Sequence, residues 1–229
     1  MSLDDVYAQI ERELDWRQSE IRFFQNLYSR NLSEQDQDKC RRSLILFLYA
    51  HFEGFCKFTL TLYITHINSE LIKCKDANPA IVAASLSTFF KELRNPDKKN
   101  IEFRNALPDD SALHRFARDK EFIESLIDVN NREVKIPDSL VNTESNLKPA
   151  VLRKNLFQLG FDHNALTSIE GSIFQLLNHR NNIAHGQSKE GVSKNSYEKI
   201  KEDTYSAMLG VKRIVMEAIR EKKYLKTPL

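Results

Sequence analysis

The sequence predicts an all-α protein. Three features carry that expectation: scarce turn formers, apolar residues at helical spacing over long stretches, and capping residues at the ends of those stretches. Only six Gly and six Pro punctuate 229 residues, too few for the many tight turns of a β-sandwich or barrel. An apolar fraction of 41% beside a charged fraction of 29% suits a folded, soluble chain long enough to bury a sizeable core. Lys plus Arg (34) against Asp plus Glu (32) leaves a formal charge of +2. Bulk electrostatics therefore announce no polyanion or membrane partner, and any such contact must be a local patch.

The elements follow in order. From Asp4 to Arg30, Val6, Ile10, Leu14, Ile21, Phe24 and Tyr28 stand mostly three, four or seven apart, an amphipathic helix. Ser33 is placed to cap a second helix with Glu34, Asp36 and Asp38 in its first turn, running to about Lys75. Its stretch from Ser43 to Ser69 is apolar on nearly every face yet carries Glu53 and Lys57. Two charges near the centre are costly in a bilayer, so a helix buried in a bundle or a subunit interface is expected, with no membrane contact. Asn78-Pro79 opens a third helix ending near Arg94-Asn95-Pro96, and Pro108-Asp109-Asp110-Ser111 a fourth reaching about Asn130. Residues 131–149, with two Pro and many turn formers, read as a long surface connection. Val151 to Leu159 is a short helix stopped by Gly160. Asp162 caps a helix to His185 that Gly186 closes, and Tyr197 to about Tyr224 forms the last one.

Several chemistries are disfavoured. Three cysteines without C-x-x-C spacing imply neither a disulfide framework nor a zinc knuckle. Cys40 and Cys56, on one helix, sit roughly 24 Å apart. The opening MSLDDVYAQI carries two acids and no basic-then-apolar run, so no signal peptide is read and a reducing cytoplasm is expected. No G-x-G-x-x-G, G-x-x-x-x-G-K, G-x-S-x-G or H-E-x-x-H string occurs, and no cluster shows metal-ligand spacing. Neither a cofactor nor a dedicated metal is expected.

The helix ending at His185 holds the most informative pattern. Leu166, Ile169, Ile173, Leu176 and Ile183 recur at helical spacing, and the apolar position missing between the last two is Arg180. A guanidinium on a packing stripe needs a partner. Asn178, Asn181 and His185 form a polar line beside it. On the second helix Glu53 and Lys57 are four apart and share a face. One reading is a buried Glu53–Arg180 ion pair. The other is an anion pocket in which Arg180 and Lys57 hold a phosphate, Glu53 orients them, and His185 transfers protons near neutral pH.

Arg180-Asn181-Asn182-Ile183-Ala184-His185-Gly186 resembles the R-N-x-x-x-H nuclease signature of the HEPN superfamily (higher eukaryotes and prokaryotes nucleotide-binding). Glu53-Gly54-Phe55-Cys56-Lys57 fits the E-x-x-x-K pair that its nucleases often carry on an earlier core helix. The stretches YAHFEGFCKFTLTLYITHIN and ESNLKPAVLRKNLFQLGFD are similar to a stand-alone subgroup from prokaryotic toxin and defence loci. The resemblance implies an up-and-down four-helix core within one domain over residues 1–229. Core helices fall at about 4–30, 34–75, 162–185 and 197–224, with a helical insertion at about 76–160. It also implies a homodimer acting on RNA as a metal-independent endoribonuclease, with an antitoxin or defence-system protein as a further partner. Arg180 would stabilise the phosphate, His185 would take part in proton transfer, and Asn181 would position either. Glu53, Lys57 and Asn178 would support them. The RNA 2′-hydroxyl attacks the adjacent phosphorus, leaving a 2′,3′-cyclic phosphate and a 5′-hydroxyl.

On an ideal helix Arg180 and His185 lie about 140° apart, since five steps of roughly 100° exceed one turn by that much. A two-fold axis beside Gly186 would let two copies share one cleft. One departure stands out: some toxins of the superfamily continue H-x-Y, with a tyrosine that a partner enzyme nucleotidylates, whereas this chain has His185-Gly186-Gln187. Two other readings stay open: a non-catalytic HEPN module that binds nucleotide, RNA or a protein, and a purely structural helical dimer. Arg41-Arg42 reads as solvated surface, His51 as packing, and Trp16 as a core or interface anchor.

Overall fold

The computed structural model describes residues 1–28, 32–100 and 110–226. Four helices make its framework: α1 (Leu3–Tyr28), α2 (Glu34–Ser69), α7 (Glu170–Ala184) and α8 (Lys194–Arg220). Between α2 and α7 lie α3 (Pro79–Ser85), α4 (Ser87–Leu93), α5 (Ser111–Leu126) and α6 (Pro149–Gln158). The described residues contain no named strand, only the isolated bridges Lys73–Glu133 and Ala77–Leu225. The all-α, up-and-down expectation holds. Met1 meets Ser69 and His66, and Arg17 meets His51, so α1 runs antiparallel to α2. Arg180 lies over Tyr49 while the loop after α7 reaches Asp38, so α7 also opposes α2. Glu198 approaches Gln25 and Lys212 pairs with Glu11, which sets α8 antiparallel to α1.

α2 is the central element. Ser33 caps it, its hydroxyl accepting from the Asp36 amide at 3.2 Å. Leu44, Ile45, Leu48, Phe52, Phe55, Leu60, Tyr63, Ile64 and Ile67 are buried over more than half of its circumference, while Phe47, Ala50, Lys57 and Thr65 mark an exposed strip. No helix among the described residues is long and apolar enough to cross a membrane. α8 is buried along one stripe, Tyr197, Ile200, Thr204, Ala207, Met208, Val211, Val215, Ala218 and Ile219.

Several expected boundaries are corrected. α2 stops at Ser69 rather than near Lys75, because Leu71 adopts a left-handed φ of 52°. Beyond it the backbone pairs sideways: the Val134 amide donates to the Ile72 carbonyl, and the Cys74 amide to the Arg132 carbonyl, both at 2.8 Å. The third helix is two, broken at Leu86. The fourth, capped by Asp110, ends at Leu126; its expected start at Pro108-Asp109 lies outside the described residues, as does Arg30. Residues 131–149 form the expected connection, largely exposed, but it is pinned to the core. Their polar residues face outward while Val134, Ile136, Val141 and Leu147 are buried, and Asn68 brackets the Ile136 peptide with bonds of 2.8 and 2.9 Å. Asp162 caps only a turn, accepting from the Asn164 amide; α7 begins at Glu170, so Leu166 and Ile169 precede it. α8 occupies 194–220 rather than 197–224.

Candidate functional site

α7 ends by geometry that its last residues dictate. His185 is the C-cap, and Gly186 follows at φ 70°, a left-handed position that costs any residue with a Cβ. The Gly186 amide donates to the Ile183 carbonyl (3.1 Å) and the Gln187 amide to Asn182 (2.8 Å). This paired closure satisfies the last carbonyls and leaves the His185 imidazole exposed at the negative pole of the helix.

Arg180 is half-buried, and its partners are not those of the ion-pair reading. No carboxylate lies within 4 Å of it among the described residues, so the Glu53–Arg180 ion pair is not formed. The guanidinium carbon instead sits 5.1 Å from the centroid of the Tyr49 ring, and Nη1 donates to Asn181 Oδ1 at 2.9 Å. A cation over an aromatic face keeps much of its charge available. Tyr49 is fixed in turn: its hydroxyl accepts from the Leu147 amide at 2.7 Å and donates to Asn146 Oδ1 at 3.4 Å. Burial pushes the Tyr49 phenol well up, and the nearby Glu53 carboxylate adds to this while Arg180 opposes it. The phenol therefore stays neutral. Tyr49 is the organising residue that sequence reasoning missed. Its signal was present, one helical turn before Glu53.

The other supporting residues divide. Glu53 lies beside Tyr49, but Lys57 does not. Lys57 is exposed, forms no ion pair with Glu53, and borders a hollow shared with Glu13, Arg17 and Thr61 on the α1 side. The E-x-x-x-K string thus splits across two neighbourhoods. Gly54 explains part of the split: a Cβ there would stand 2.8 Å from Arg17 Nη1. Arg17 fills that space, pairs with Glu13, donates toward His51 Nδ1 at 3.2 Å and stacks 4.6 Å over the Trp16 ring. Trp16 is 45% exposed and edge-on to His51, a surface cover for this network instead of a core anchor. Asn178 is exposed on the outer face of α7, near Phe174.

Asn181 touches both candidate catalytic groups. Its side chain accepts from Arg180, and its carbonyl accepts from the His185 amide at 2.9 Å. Arg180 and His185 themselves share no hydrogen bond, as the angle between them on one helix requires. The Arg41-Arg42 doublet is not free surface. Arg41 pairs with Asp38 and donates from Nε to the Val192 carbonyl at 2.9 Å. Arg42 donates to the carbonyls of Ser188 and Lys189, at 3.4 and 2.5 Å. Together they hold the loop that leaves His185. No group of three or more His, Cys, Asp or Glu among the described residues is arranged to hold a metal ion.

The fold is thus an all-α, four-helix up-and-down core, with Arg180, Asn181 and His185 at the end of α7. The model of the MAE_28990-like HEPN family matches residues 6–224, and the chain belongs to that family. No curated protein and no solved structure matches the chain.

Proposed function

We propose that this protein is an endoribonuclease in which Arg180, Asn181 and His185 cleave RNA through the substrate's own 2′-hydroxyl, at a cleft completed by a second copy of the chain. The observation that carries this reading is the state of Arg180. A half-buried guanidinium, braced by Tyr49 and Asn181 and lacking a carboxylate within 4 Å, is poised for an external anion. A phosphodiester supplies one.

The chemistry asks little else of the protein. The 2′-oxygen bonds to phosphorus as its proton leaves, and the bond to the 5′-oxygen breaks as that oxygen gains a proton. Exposed at the helix end, His185 is suited to proton transfer at neutral pH. Arg180 stabilises the charge that builds on the phosphoryl oxygens. A second copy supports the reading because Arg180 and His185 diverge on one helix. The outer face of α7, with Phe174 56% exposed beside Asn178 and His185, offers a surface for it to cover. A toxin or defence role, controlled by a partner protein, fits an enzyme that needs only RNA and water.

The test incubates purified protein with single-stranded RNA in EDTA, beside His185→Ala and Arg180→Ala. Each variant should lose about 100-fold or more in cleavage rate. Equal cleavage by wild type and both variants, or RNA bound but left intact by the wild type, overturns the catalytic reading; the latter identifies a binding module.

A further inference from the structure

A cavity of about 330 Å³ opens where the end of α1 meets the starts of α2 and α8. Its walls combine three kinds of group. Tyr28 and Tyr197 contribute aromatic rings, Gln25 and Gln37 carboxamides, and Arg22, Arg41 and Lys194 positive charge against the single carboxylate Glu198. Lys194, in the first turn of α8, has no ion pair among the described residues, and Arg22 holds Asp15 at 3.8 Å and Ser19 at 3.0 Å only through exposed contacts that a phosphate can displace. Arg41 is committed to Asp38 and to the Val192 carbonyl. Tyr197 is 1% exposed, and its hydroxyl is buried without a hydrogen-bond partner. Such a group is costly in the free protein and gains from a ligand that supplies the bond.

An aromatic ring, carboxamides and exposed cations are chemistry that single-stranded RNA recognition uses. The place is also right. Arg41 ties this cavity to Val192, seven residues after His185, a span of at most about 25 Å of extended chain. We propose that the cavity is a subsite for one nucleotide of the RNA strand, its base against Tyr28 and hydrogen-bonded to the Tyr197 hydroxyl, and its phosphate on Arg22 and Lys194. The inference rests on the RNA reading above and deepens it: the subsite selects which linkage reaches Arg180 and His185. Free nucleotides share this chemistry, so the experiment must separate them from the strand.

Cys40 lines the cavity and is partly exposed, whereas Cys56 and Cys74 are buried, so alkylation of Cys40 reports occupancy. In the His185→Ala protein, a single-stranded RNA dodecamer at ten times its Kd should slow N-ethylmaleimide labelling of Cys40 about tenfold. The Arg22→Ala/Lys194→Ala variant should bind the dodecamer at least tenfold more weakly, with the slope of log affinity against log salt reduced by about 1.4. Tyr197→Phe should weaken binding about three- to tenfold while the free protein melts no lower than its parent. Full protection with uridine or adenosine 5′-monophosphate, but none with the dodecamer, overturns the strand subsite. So do unprotected Cys40 and unchanged affinity in both variants. If the wild type cleaves no RNA while Cys40 is still protected, the catalytic reading fails and the subsite stands. If the wild type cleaves and both variants keep its KM, the subsite alone fails.

Discussion

Replacing Tyr49 by Phe separates two tasks of one side chain. The ring stays beneath Arg180, but the hydroxyl that accepts from the buried Leu147 amide is gone. An orphaned buried donor costs about 1–3 kcal/mol, which denaturant unfolding of Tyr49→Phe should show. Cleavage should suffer far less than in Arg180→Ala, because the cation keeps its aromatic brace. His51 makes a prediction of opposite character. Burial first, and then the Arg17 guanidinium, depress its pKa, while Glu20 and Glu13 pull it the other way. The folded state therefore prefers the neutral ring, whereas the unfolded chain takes up a proton near pH 6.5. Stability is fully present above that value, falls as the pH drops through it, and levels off below the folded pKa. His66, depressed mainly by burial, contributes with the same sign. His51→Gln should flatten part of the fall in stability between pH 7 and 5, and an unchanged profile would show that His51 does not cause it.

At the scale of elements, two glycines control how the loop after α7 is held. Gly186 needs its left-handed φ but has open space around it, so Gly186→Ala should cost about 1–2 kcal/mol and little else. Gly191 lies against α2: an added Cβ would stand 2.3 Å from Asp38 Cβ and 2.9 Å from its carbonyl carbon. Gly191→Ala must lift the loop off Arg41 and Arg42, and its cleavage rate should fall more than that of Gly186→Ala. Thermal unfolding alongside rate measurements distinguishes them. Within α2, Gly54→Ala gains about 1 kcal/mol of helix propensity but intrudes on Arg17. It should therefore stabilise an Arg17→Ala background more than the parent, a coupling that a double-mutant cycle measures. The helices themselves were legible in the sequence because periodicity and caps are local. Where α2 ended was not: Ile72 and Cys74 continue its apolar pattern but serve a pairing with residues 132–134, some sixty positions away. The buried face of 131–149 was hidden for the same reason, its alternate apolar residues being diluted by turn formers. Arg180, Asn181 and His185 could be singled out as candidates because an arginine interrupts an apolar stripe, whereas Tyr49 looked like one more aromatic in an apolar run. The Lys57 role was drawn from spacing and from the E-x-x-x-K resemblance, and spacing places two residues on one face but not in one pocket.

For the whole molecule, a net charge of +2 supplies little general attraction for RNA, so the proposed RNA binding relies on local cations around a cleft. In the proposed assembly the outer face of α7 brings two copies together, and the arms of the reaction converge only there. Measuring the ends of the RNA fragments tests this account most directly. Wild-type protein in EDTA should release products bearing a 2′,3′-cyclic phosphate and a 5′-hydroxyl, and His185→Ala should release none. Fragments with 3′-hydroxyl and 5′-phosphate ends, or equal cleavage of an all-deoxy strand, would contradict it.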